Sequence, residues 1–302
     1  MAKKKHPILT VLLIIAAFAL LLGTVSVVVV KFVSPTAHIS FTHKIGVIPI
    51  SGAIVNAQPV ISEIVRFRKD KAIKAIIVRI DSPGGGVGPS QEIYKELKRT
   101  REKKKVIASM GSVAASGGFY IASAADKIVA NPGTITGSIG VLMEFVQFKS
   151  LLEKIGITLE VIKSGEYKDM GYPQRELTER DRQILERVIK DIQRQFVTAV
   201  ADGRHLARDK VLAIADGRIF SGERAKQLGL VDSLGNFQDA VELAKKMTGI
   251  RGDVTLVYPK RHGAKFWDLL FDSASRSLLK WLQKTQTRVE YTWQGGLNHA
   301  FR

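Results

Sequence analysis

Two short stretches carry residues whose types and spacing could do chemistry. "SMGSVAASGGFY", residues 109–120, is crowded with Gly, Ala and Ser around Ser116, and "DSPGGGVGPS", residues 81–90, places Gly84, Gly85 and Gly86 in succession. Ser116 reads either as a nucleophile in a tight backbone turn or as one small residue of a close-packed segment. Consecutive glycines let backbone N–H groups converge on one concavity, which suits an oxyanion and equally a phosphate. The phosphate reading fails because neither G-x-x-x-x-G-K-[ST] nor G-x-G-x-x-G occurs in the loop. Ser116 also lacks the G-x-S-x-G elbow, since Ala114 holds the first Gly position.

A serine nucleophile needs a base, and histidine is scarce. His6, His38, His43, His262 and His299 all lie outside residues 44–250, which leaves His205. A His-based triad or a histidine metal site is therefore disfavoured. The chain has no cysteine, so thiol nucleophiles, thiolate metal sites and disulfides are excluded. A lysine can serve where desolvation leaves its amine neutral. Lys168 stands in "KSGEYKDMGYP", a loop punctuated by Gly and Pro, and it differs in this from lysines in charged helical runs. These residues alone leave both readings of Ser116 open. Asp81 and Asp126 read as structural, and "RGD" at 251–253 as a loop.

The elements that must position these loops follow from the hydrophobic pattern. Residues 44–50, 74–80, 104–110, 126–130 and 157–162 read as strands, and helices are expected near 58–70, 89–102, 149–155, 178–203, 221–228 and 236–248. A helix "FYIASAA" follows Ser116. Strand alternating with helix implies an α/β domain with a largely parallel, buried sheet. The loops holding Ser116 and Gly85 then follow the carboxyl ends of strands, where α/β folds place their sites.

Residues 7–30, "PILTVLLIIAAFALLLGTVSVVVV", carry no charged side chain and follow "MAKKKH". As a helix they would span roughly 36 Å, against a bilayer core of roughly 30 Å. The run exceeds a signal-peptide core and lacks a good cleavage site. The preceding lysines favour a cytoplasmic N-terminus. The expected order is a basic tail (1–6), a transmembrane signal anchor (7–31), a linker (32–43), an α/β domain (44–250) and a C-terminal tail (251–302). This makes a single-pass protein of the inner or plasma membrane with its α/β domain outside the cytoplasm. The formal charge of +18 fits solvated helix faces and anionic lipid headgroups. No nucleic-acid-binding motif accompanies it. In the tail, residues 266–284 space Trp267, Leu270, Phe271, Leu278 and Trp281 at helical steps among basic residues, as in an amphipathic helix. That helix is expected to pack on the protein or lie at the membrane interface, outside the chemistry.

The sequence resembles the signal peptide peptidases of the short, single-repeat type, in the Clp-protease/crotonase superfamily. The resemblance is carried by "DSPGGG" (81–86), "SMGSVAASGGFYIA" (109–122), "ANPGTITGSIGV" (130–141), "SGEYKDMG" (164–171) and "RIFSGERAKQLGLVDSLG" (218–235). It runs from about Lys44 to Ile250 in the family's order and spacing. It implies a ββα superhelix that assembles into homo-oligomers, and a Ser–Lys dyad protease. In this chain it implies Ser116 as nucleophile, Lys168 as general base, the Gly85 and Gly117 N–H groups as the oxyanion hole, and Ser138 as the residue orienting the lysine. Substrates would be hydrophobic peptides, in particular released signal peptides, and no metal or other cofactor is implied. A crotonase-type acyl-CoA enzyme and a non-catalytic membrane scaffold share the fold. The lysine motif and the anchor speak against the first, and the intact serine and lysine against the second.

Overall fold

The computed structural model describes residues 15–25, 43–259 and 288–292 and divides the chain into two units, Met1–Thr42 and His43–Arg302. In the first unit, residues 15–25 form helix α1 with every residue exposed. Among the described residues no helix is long and apolar enough to cross a membrane. The rest of the expected anchor, and the amphipathic helix at 266–284, lie outside the described residues.

The second unit begins β1 (His43–Ser51), α2 (Gln58–Lys69), β2 (Ile73–Ser82), β3 (Gly84–Gly86), α3 (Val87–Arg101), β4 (Lys105–Ala115), α4 (Gly117–Ala122), β5 (Lys127–Ala130), β6 (Ile135–Gly137) and β7 (Leu142–Glu144). It continues α5 (Lys149–Lys154), α6 (Glu179–Arg204), α7 (Arg208–Leu212), β8 (Ile219–Ser221), α8 (Gly222–Gln227), β9 (Ser233–Leu234), α9 (Phe237–Thr248), β10 (Val254–Val257) and β11 (Arg288–Thr292).

The main sheet runs β10-β1-β2-β4-β5-β9, with β6 joined to β4 and β8 joined to β6. Every pair on the main path is parallel. β2, "IKAIIVRIDS", is buried almost throughout, as a parallel strand covered on both faces must be. On one face Ile76, Val78 and Val106 pack with Phe67 of α2, Ile93 and Leu97 of α3, and Phe119 of α4. On the other, Ile45, Ala75, Ile77 and Ile107 pack under Ala240, Val241 and Ala244 of α9. This is a mixed α/β architecture with helices on both faces of a mostly parallel sheet.

β4 positions the site. Its first half pairs with β5 through Ile107, Ala108 and Ser109. Its second half leaves β5 and pairs with β6, Ala115 lying opposite Gly137. Buried threonines fasten this second half: Thr134 Oγ1 donates to Gly111 O at 2.7 Å, and Thr136 Oγ1 to Ala114 O at 2.7 Å.

Two readings of the sequence are corrected here. Residues 157–162 form no strand. Their alternating apolar residues find no neighbouring strand among the described residues, and Ile157, Leu159, Val161 and Ile162 are all exposed. The sheet also continues beyond residue 250, where the tail was expected to begin, because β10 pairs with β1 at the sheet edge. β11 joins β3 and β7 in a separate three-stranded sheet.

Candidate active site

Ser116 stands where β4 ends and α4 begins, with φ 54° and ψ −117°. A non-glycine residue in such a conformation costs about 1–3 kcal/mol and persists only where its surroundings impose it. The imposition is visible: Ser116 N–H donates to Gly137 O at 2.8 Å, and Ser116 O accepts from Tyr120 N–H at 2.8 Å. The residue is buried, yet among the described residues no group hydrogen-bonds its Oγ. A small-residue packing role would not require this backbone. The flanking serines behave otherwise. Ser109 Oγ accepts from Arg79, Ser123 Oγ donates to Tyr120 O, and Ser112 is exposed.

The helix after Ser116 is short and wholly buried. Tyr120 fixes it from behind, its ring 4.9 Å from both Tyr94 and Phe196. Burial, and then the neighbouring Tyr120, push the Tyr94 hydroxyl up to about 12, so it stays a neutral packing partner well into the alkaline range.

Gly85 and Gly117, the two donors that the resemblance implies, lie close together. A Cβ on Gly117 would lie 3.3 Å from the Gly85 nitrogen and 2.6 Å from Ser90 Oγ, so only glycine permits this approach. A Cβ on Gly85 would lie 2.3 Å from Ile54 O. The Gly117 N–H belongs to the first turn of α4, where N–H groups have no partner within the helix. Two serines that the sequence reading left aside hold the glycine run in place. Ser90 Oγ donates to Gly86 O at 2.9 Å, while Ser82 Oγ donates to Gly52 O at 2.6 Å and accepts from Gly84 N–H at 3.1 Å. Both stand in "DSPGGGVGPS", but only the folded chain shows which serines brace and which one is left free.

Ser138 also reaches this place. It follows Gly137, the partner of Ala115, and has a positive φ of 49°. Its N–H donates to Arg218 O at 2.9 Å, which ties "TGSIGV" to "RIFSG".

Lys168 is not joined to them. It is exposed, and no hydrogen bond links its Nζ to Ser116. Its loop is nonetheless built. Asp169, largely buried, accepts from Lys163 Nζ at 2.8 Å and pairs with Arg175 Nε at 3.2 Å. Arg175 also donates to Asp181 at 2.6 Å, and Asp181 closes the capping box of α6 with Thr178. The Lys163 hydrogen bond holds the Asp169 carboxyl below the usual range, and Arg175 does the same to Asp181.

Asp81 and Asp126 are structural. Asp81 accepts from Val113 N–H at 3.1 Å, bracing the second half of β4, and Asp126 accepts from Val106 N–H at 2.8 Å. Among the described residues no cluster of His, Asp or Glu could hold a metal ion.

A family model described as "Peptidase family S49" matches residues 98–251, and one described as "Clp protease" matches residues 43–134. A protein of Synechocystis sp., provisionally named a protease, is 48% identical over 211 residues, covering 70% of this chain and 76% of that one. "Serine protease SPPA, chloroplastic" of Arabidopsis thaliana is 37% identical over 228 residues, 74% of this chain and 34% of its own. "Protease 4" of Haemophilus influenzae is 33% identical over 235 residues, 72% and 37%. The chain thus spans about a third of the last two.

Proposed function

Because the chain belongs to peptidase family S49 and is a serine endopeptidase, we propose that it is membrane-anchored, works through a Ser116–Lys168 dyad and degrades hydrophobic peptides such as released signal peptides. The observation that carries the site is Ser116: buried, held at positive φ, with no partner for its Oγ among the described residues, and directly preceding Gly117, which packs closely against Gly85.

In this mechanism Ser116 Oγ attacks the scissile carbonyl and its proton passes to the Lys168 amine. The developing oxyanion takes hydrogen bonds from Gly85 and Gly117, each worth a few kcal/mol of barrier. Collapse releases the amine product, protonated by the lysine, and leaves an acyl-Ser116. Water, deprotonated by the same lysine, then frees the second product. Ser138 orients the amine.

A lysine acts as base only where its amine leaves water. Lys168 follows an exposed apolar stretch that includes Leu151, Ile155, Leu159 and Ile162. Homo-oligomerisation that buries this stretch would desolvate Lys168 and bring it to a serine. Residues 7–31 tether the enzyme to the inner or plasma membrane with the catalytic domain outside the cytoplasm, where lipid-borne peptides accumulate. The test is labelling by a fluorophosphonate serine probe in the assembled protein. Wild type is expected to react and Ser116→Ala not to; equal labelling would remove Ser116 from the mechanism.

A further inference from the structure

The two ends of the sheet differ in charge. β1, β2, β4 and β5 run the same way, so their amino ends lie together and their carboxyl ends lie together. The segments at the carboxyl end are "SGAIVNAQ" (51–58), "DSPGGGVGPS" (81–90), "SGG" (116–118) and "NPGT" (131–134), and Asp81 is their one charged residue. The amino end is the reverse. "KDKAIK" (69–74) leads into β2 and "EKKK" (102–105) into β4, six lysines against Asp70 and Glu102. Register adds two more: Lys44 of β1 stands opposite Ile73, and Lys127 of β5 opposite Ile107. Lys104 ties the two segments together, its Nζ donating to Phe67 O at 2.6 Å and to Asp70 O.

Part of this charge is used within the fold. α2 and α3 end here, and Arg66, Arg68, Arg99 and Arg101 in their last turns suit the helix dipoles and pair with Glu63, Glu96 or Asp126. Lys71, Lys74, Lys103 and Lys105 stand past the helix ends, exposed and without an ion pair among the described residues. Like charges gathered this way repel one another and oppose folding. An anionic surface outside the molecule relieves that repulsion.

We propose that the amino end of the sheet docks on an anionic bilayer and holds Ser116 at the far end of the domain from the lipid. The proposal rests on the membrane-anchored reading given above. A bilayer is favoured over a soluble polyanion because His43 begins β1 at this end, so the proposed anchor at residues 7–31 leads along the chain into the lysines. β4 spans 11 residues between Lys105 and the nucleophile's turn. At about 3.3 Å per residue this sets Ser116 roughly 30 Å beyond the lysines. A substrate then reaches Ser116 from water, after leaving the bilayer.

The chain has no cysteine, so single labels can report each end. Ala72→Cys places a fluorophore at the amino end and Ala53→Cys at the carboxyl end, both at exposed positions. The full-length protein is reconstituted into vesicles with a headgroup-linked quencher, made of phosphatidylcholine alone or mixed equally with phosphatidylglycerol. Quenching is expected at residue 72 and not at 53, only with phosphatidylglycerol, and to be reversed by salt. Each lysine near an anionic surface strengthens binding about fivefold, so the combined Lys71→Gln, Lys74→Gln, Lys103→Gln and Lys105→Gln variant should lower the docked-to-undocked ratio by on the order of 100-fold or more. Its turnover of a short soluble peptide should be unchanged, which also reports folding. Stronger quenching at 53 than at 72, equal quenching at 72 on neutral vesicles, or quenching at 72 that survives in the folded Gln variant overturns the proposal. Should that variant unfold, the two labels on the two vesicles still decide. Failure of the anchor reads separately, as release of the chain by alkaline carbonate, and the labels report the docked end before that wash.

Discussion

Ser116 and Lys168 make predictions that a structural role for either would not. Ser116→Ala and Lys168→Ala are each expected to abolish peptidase activity with the melting temperature retained. The double variant should be no worse than either single, because members of one catalytic unit are lost together. Activity that persists in Lys168→Ala calls for another base. The pH profile makes an independent check. A lysine base acts as the free amine, and the reference lysine pKa is about 10.4, so kcat/KM should rise from neutral to alkaline pH. A maximum below about pH 6 would indicate a carboxylate instead. Gly85→Ala tests the oxyanion loop. The new methyl would meet Ile54 O at 2.3 Å and shift the strand. Loss of one aligned donor is expected to lower kcat by about 100- to 1,000-fold.

At the scale of elements, the loop of Lys168 depends on a short chain of ion pairs ending at the N-terminus of α6. Asp169 is its centre, held by Lys163 and Arg175. Asp169→Asn weakens both contacts and leaves Lys168 itself in place. Because a misplacement of about 1 Å can cost as much as 100-fold in rate, activity should fall by about tenfold or more. Ser116 should still react with the fluorophosphonate probe, and equal peptidase activity in the variant would separate this network from catalysis. A second ion pair backs Ser138. Asp216 is held down at about 2, first by its side-chain hydrogen bonds from Arg218. Its folded pKa lies below its ordinary 3.8, so the stabilisation is complete above that value and is lost as pH falls through about 2. Melting temperature measured from pH 5 to pH 2 should fall, and fall less steeply in Asp216→Asn.

At the scale of the whole molecule, the proposed topology leaves the N-terminus in the cytoplasm and is expected to set the catalytic domain outside it. Protease added to intact spheroplasts should digest residues 44–250, and protection until lysis would reverse the orientation read from the lysines near the N-terminus. The net charge of +18 suits a domain held near anionic headgroups. Raised ionic strength should then weaken any binding of the catalytic domain to anionic vesicles more than its binding to neutral ones.

The order of strands and helices through the core was legible in the sequence because burial imposes periodicity. β1, β2, β4 and β5 appear as apolar runs, and α2, α3, α6 and α9 as amphipathic stretches with their boundaries nearly in place. Ser116, Gly85, Gly117 and Ser138 were named only through the family resemblance of five motifs in series, since the residues by themselves left the role of Ser116 open. What the sequence could not say was which of these residues meet. The approach of Gly117 to Gly85, the positive φ of Ser116 and the bracing by Ser82 and Ser90 come from the turn of β4 away from β5 onto β6, a long-range pairing with no local signal. Residues 157–162 failed as a strand for the complementary reason: alternation prepares a segment for pairing, but only a neighbouring strand supplies it. β3, β7 and β11 are too short to show a period, and their partners lie far apart in the chain. Only the tertiary structure could set residues 288–292 against the glycines of the site, because backbone hydrogen bonds carry almost no sequence signature.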